Sequence, residues 1–85
     1  MSEKPQFLAQ YGTREHALKM IQNPEAHIWR IRSALQNRNL TEVDLVKLAF
    51  HHDPEIAEHA AKQCLDRGYE VSIKSLRKKY PNLVP

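Results

Sequence analysis

Residues 41–65 read TEVDLVKLAFHHDPEIAEHAAKQCL, and residues 13–35 read TREHALKMIQNPEAHIWRIRSAL. Each stretch carries an Asx-Pro-Glu triplet, Asp53-Pro54-Glu55 in the first and Asn23-Pro24-Glu25 in the second, between runs whose apolar residues recur at helical spacing. The triplet is a start signal for a helix. Its Asx oxygen can accept a hydrogen bond from an early backbone N–H, its proline has no N–H to leave unpaired, and its glutamate meets the positive end of the helix. The residue before a proline is also pushed out of the helical region, so the same triplet ends whatever helix precedes it. Each stretch therefore predicts helix, corner, helix.

Working outward, Thr13 supplies a hydroxyl cap for a helix bearing Ala17, Leu18 and Ile21 on one side, with Met20 flanking, that stops before Pro24. The next helix is expected from the Asn23-Pro24-Glu25 signal to about Gln36, with Ile28, Ile31 and Leu35 on one face and Ala26, Trp29 and Ser33 on a smaller second stripe. Asn37-Arg38-Asn39 reads as a turn. Thr41 and Asp44 then resemble a capping box with aspartate in the usual glutamate place. The helix that begins there has apolar residues round most of its circumference (Val43, Leu45, Val46, Leu48, Ala49, Phe50), and only Asp44, Lys47 and His51 form a polar strip, so it is expected to be the most buried. After Asp53, one half of the next helix carries Ile56, Ala57, Ala60, Ala61, Cys64 and Leu65, and Gly68 is placed to end it. A last helix over 70–79 has Ile73, Leu76 and Tyr80 as its inner side and stops at Pro81, leaving Leu83, Val84 and Pro85 as a frayed tail. Pro5 to Tyr11 predicts one further short helix closed by Gly12.

The two stretches can be overlaid with an offset of 28 at their threonines and 30 at their Asx-Pro-Glu triplets, after a two-residue insertion near His51. Lys19 then meets Lys47, Met20 meets Leu48, Ile31 meets Ala61, Arg32 meets Lys62 and Leu35 meets Leu65. A period of this length signifies a helical pair that hides its apolar face by stacking on its neighbour. The pattern of threonine, an apolar anchor (Leu18 or Val46), then Asn/Asp-Pro-Glu and a second short helix resembles the HEAT-like and leucine-rich-variant helical repeats, including the short forms in small tailed-phage proteins. The resemblance covers Thr13 to Arg67. It implies a right-handed stack of helical pairs that binds protein or nucleic acid and does not catalyse. Where that family often has a valine-arginine pair in the second helix, this chain has Ile28 to Arg30 and Ile56 to Glu58.

With 85 residues, 41% of them apolar and 27% charged, the chain has the size and composition of one ordinary folding unit. The expected fold is all-α, a compact bundle or mini-solenoid of five to six short helices in two helix-turn-helix repeat pairs. The expected domain is single, 1–85, with flexible ends at 1–4 and 81–85. No apolar run approaches the roughly 20 residues of a membrane span, and the first residues lack the basic and apolar segments of a secretory signal. Cys64 is the only cysteine, so no internal disulfide can form, and a reducing, cytoplasmic setting is expected.

Charge is unevenly placed. Residues 1–69 hold nine cationic and nine acidic side chains, and the excess comes from Lys74, Arg77, Lys78 and Lys79 against Glu70. Those four cations are the candidate nucleic-acid contact, with binding that weakens as salt rises. A helix-turn-helix reading of the His52 corner fails on composition, because Glu55, Glu58 and Asp66 would face phosphates. His52, His59 and Cys64 have spacings that match no closed zinc site, so no metal is expected; His51 and His52 are read as closing the turn before Asp53 and Cys64 as a small buried residue. No glycine-rich phosphate loop and no nucleophile motif is present, and Glu55 and Glu58 read as solvated acids, so neither an enzyme nor a cofactor is expected. Trp29 lies off the main stripe of its helix. It either packs on Phe7 or Tyr11 or stands with Arg30 and Arg32 as a protein-binding hot spot. The expectation for function is a small accessory or regulatory module that binds a partner protein through Trp29, Arg30 and Arg32. The alternatives are a nucleic-acid-binding regulator that uses the last helix and a homodimer or larger homo-oligomer.

Overall fold

A computed structural model describes residues 11–84. All regular structure among them is helical: α1 (Arg14–Gln22), α2 (Ile28–Leu35), α3 (Glu42–Ala49), α4 (Pro54–Asp66) and α5 (Ile73–Lys79). The all-α expectation is met. The helix expected over 5–11 lies outside the described residues except for Tyr11, which is exposed. The chain divides into two compact units, Met1–Thr41 and Glu42–Pro85. In the first, α1 packs on α2; in the second, α3 packs on α4.

In the first unit, Thr13 caps α1 as its sequence predicts, its Oγ1 accepting from the His16 N–H at 3.1 Å. Such a cap is worth about 1 kcal/mol. The buried side of α1 is Ala17 and Ile21, and α2 faces inward with Ile31, Ala34 and Leu35. The start of α2 departs from expectation. Asn23 Oδ1 does accept from the Glu25 N–H at 2.9 Å, but the Asn23 carbonyl bonds to the Ala26 N–H three residues on (3.1 Å), which closes one turn and no more. The helix restarts at Ile28 behind His27, which gives no side-chain cap. Beyond α2, Asn37 is fully buried. Its Nδ2 donates to the Gly12 carbonyl at 3.0 Å and its Oδ1 accepts from the Asn39 N–H at 2.8 Å, while Asn39 Nδ2 donates to the same Gly12 carbonyl at 2.9 Å. The stretch read only as a turn is thus a clamp on residue 12, and burying Asn37 is tolerable because its amide is partnered.

In the second unit, the Asp53 corner works as a helix start. Asp53 Oδ1 accepts from the Glu55 N–H at 3.0 Å, and the Asp53 carbonyl accepts from the Ala57 N–H four residues on, also at 3.0 Å. His51 completes the corner by accepting the Asp53 N–H on Nδ1 at 3.0 Å, its ring stacked on that of His52 at 4.3 Å. Ile56, Ala60 and Cys64 form the buried stripe of α4. The helix closes in two reverse bonds: the Gly68 N–H donates to the Leu65 carbonyl at 3.0 Å and the Tyr69 N–H to the Cys64 carbonyl at 2.8 Å. This closure requires a left-handed residue, and Gly68 has φ of 78°.

Four details of this unit correct the sequence reading. In α3, Val43 is exposed and Asp44 buried, the reverse of the expected polar strip, and the helix buries three of its eight residues, as α2 does. A helix apolar on most sides has no preferred inward face until a neighbour selects one, and here the selected face centres on Leu45 and Val46. Leu65 on α4 is exposed. The last helix begins at Ile73, not at Glu70, with Leu76 as its buried residue and Ile73 itself 53% exposed. Val84, placed by the sequence in a tail without a role in the core, is buried, and the Leu83 and Val84 N–H groups both donate back to the Tyr80 carbonyl at 3.0 and 3.3 Å.

Candidate functional site

Two surfaces hold the residues that the sequence singles out, one in each unit. On α2, Trp29 is 39% exposed, although this large apolar ring would normally be buried. The Arg30 guanidinium carbon lies over its ring, 5.4 Å from the centroid, and the His27 ring is tilted against it at 6.0 Å. At about 100° per residue, Arg30 falls on one side of Trp29 and Arg32, three residues on, falls on the other. The indole is therefore an exposed apolar plate between two arginines. The cation over the ring contributes about 0.5–1 kcal/mol at an exposed site and favours this arrangement of the two side chains. Phe7, one of the two expected packing partners of Trp29, lies outside the described residues. His27 was missed as a member of this group; the signal for it is its place two residues before the tryptophan at the true start of the helix.

The cations of α5 separate into two sets. Lys74, Arg77 and Lys78 line a shallow depression together with Ile73. Lys79 points elsewhere: its Nζ bonds both carboxylate oxygens of Glu42 at 3.2 and 3.0 Å and lies 5.5 Å from the centre of the Tyr80 ring. The bond to Glu42 pushes the lysine pKa upward, so this charge persists but is answered within the unit. Three of the four expected nucleic-acid contacts thus share a surface and the fourth ties the end of α5 to the start of α3.

Cys64 is buried on the inner stripe of α4, and its thiol pKa is raised, first by burial, then by the negative charge of Glu42, against an opposing effect of Arg67. A thiol held protonated is a poor nucleophile and a poor metal ligand. His52 is exposed and His59 half-buried, and among the described residues no three of His, Cys, Asp and Glu gather as a metal site would need. Also among these residues, no helix is long and apolar enough to cross a membrane. No protein-family model, no curated protein and no solved structure matches the chain.

Proposed function

We propose that the chain is a small accessory or regulatory binding module, without chemistry of its own, that docks a partner protein on the surface formed by Trp29, Arg30 and Arg32. The observation that carries this reading is the exposed indole held under Arg30. Tryptophan and arginine dominate the energetics of protein interfaces, and a plate partly ordered by its neighbour loses less side-chain entropy on docking. The resemblance of residues 13–67 to HEAT-like repeats, short phage forms included, supports the same reading. Replacing Trp29 and Arg32 with alanine is expected to abolish capture of a partner from the native cell while leaving the far-ultraviolet circular dichroism unchanged. A partner retained equally by the double variant removes the assignment.

A second reading has its own observation: Lys74, Arg77 and Lys78 lie together beside an exposed isoleucine. On that reading, α5 meets a polyanion and the protein is a nucleic-acid-binding regulator. A gel shift with duplex and single-stranded probes would be salt-sensitive and lost on neutralising those three residues, whereas neutralising Lys79 would change it less.

A further inference from the structure

We infer that the Trp29 surface takes an acidic peptide segment, with a carboxylate of the partner seated on the N–H edge of Arg30 and an apolar side chain against the indole. This deepens the proposed function and rests on it. The first argument is charge. From Ala26 to Thr41 the chain carries Arg30, Arg32 and Arg38 and not one aspartate or glutamate, as is also true of the basic end of the chain after Glu70. Among the described residues, no carboxylate pairs with Arg30 or Arg32, although Lys79 in the other unit has found one. The positive charge on this face is thus left for a ligand to answer.

The second argument is the type of cation. Arg30 and Arg32 are both arginines, whose planar fork matches a carboxylate in two parallel hydrogen bonds, which a lysine ammonium cannot do. The third is the position of Arg30. Its guanidinium already lies over one face of the indole, so a nucleobase could stack on that face only by displacing it. A carboxylate needs no such displacement, because it approaches the N–H groups and not the ring; a backbone phosphate could approach in the same way, but its base would lose that stacking face. The arrangement therefore favours a peptide acid over a single-stranded nucleic acid, although both are anionic.

Trp29 is the only tryptophan, so its fluorescence reports on this surface alone. The full chain would be titrated with a twelve-residue synthetic peptide alternating glutamate and leucine, with its glutamine twin, and with oligothymidylate. The expected result is a saturable emission change with the acidic peptide, about tenfold weaker or more with the twin, weaker again at raised salt. Arg30→Gln should cost about tenfold or more and Arg30→Lys several-fold, as a lost fork with retained charge requires, whereas Lys62→Gln should bind as the parent does. Any of three results overturns the inference: equal binding of the glutamine twin, tighter binding of oligothymidylate, or no response at millimolar acidic peptide. A concentration-dependent mass in sedimentation that Trp29→Ala abolishes would assign the surface to a second copy and overturn it too. If the acidic peptide fails while capture of a cellular partner still depends on Trp29, the proposed function stands and only its acidic partner falls.

Discussion

The corners at Asn23-Pro24-Glu25 and Asp53-Pro54-Glu55 are nearly the same object at their first residue. Asn23 has φ −76° and ψ 113°, Asp53 φ −83° and ψ 115°, and each side-chain oxygen accepts from the N–H two residues on, at 2.9 and 3.0 Å. Three residues later they differ. The Asn23 carbonyl is taken by residue 26 and the helix is delayed to Ile28, whereas the Asp53 carbonyl is taken by residue 57 and the helix runs at once to Asp66. The shared local chemistry makes a turn, and something beyond it decides whether the turn becomes a helix.

That further factor is where the buried stripe ends. In α4 the stripe Cys64, Ala60, Ile56 reaches back to the third helical residue, and Ile56 is 4% exposed. Burying an isoleucine is worth roughly 1.5–3 kcal/mol, enough to hold a first turn whose hydrogen bonds are still incomplete. In α2 the stripe Leu35, Ala34, Ile31 would continue back to His27, which is polar and exposed, and the position matching Ile56 is Ala26, a half-buried methyl group. The corner with an isoleucine to bury continues as a helix; the corner without one relaxes into a turn.

The sharpest way to break this account is Ile56→Ala. It should destabilise the protein by about 2–4 kcal/mol in urea unfolding followed by circular dichroism, the range for emptying a buried isoleucine site. A loss under about 1 kcal/mol would mean that the corner, not the stripe, carries the start of α4. Next in size is Asp53→Ala, expected to cost about 1 kcal/mol because it uncaps a real helix. The matching Asn23→Ala should cost about 0.5 kcal/mol or less, since it loosens only an exposed turn. Equal costs at the two positions would make the corners equivalent and the comparison empty. The smallest effect sharpens it: Ala26→Ile supplies the missing anchor and should extend α2 backward by about one turn, seen as stronger ellipticity at 222 nm and slower amide exchange at His27 and Ile28. Unchanged exchange there would show that an apolar residue alone does not recruit the turn.

Much of this was legible along the chain because it is local. The Thr13 cap, the Asp53 cap, the part of His51 in closing the corner and the left-handed stop at Gly68 each depend on atoms a few residues apart, and all four stand where the residue types put them. The candidate site was half legible. Trp29 and Arg30 lie together because neighbours on a helix must, but nothing in the spacing said that Arg30 would cover the ring or that His27 would flank it. Adjacency in sequence groups Lys79 with the other cations of α5, and the carboxylate that binds it, Glu42, lies 37 residues away.

What the sequence determined by itself is the vocabulary: helices, their stops, and the two proline corners, since backbone sterics and side-chain caps act within a turn of where they are written. Phase and extent come instead from packing: which side of α3 faces inward, how far α2 reaches back, and that Asn37 and Val84 are buried. The physical reason is that an apolar side chain is stabilised by burial wherever a surface is offered, and the surface comes from residues remote in the chain.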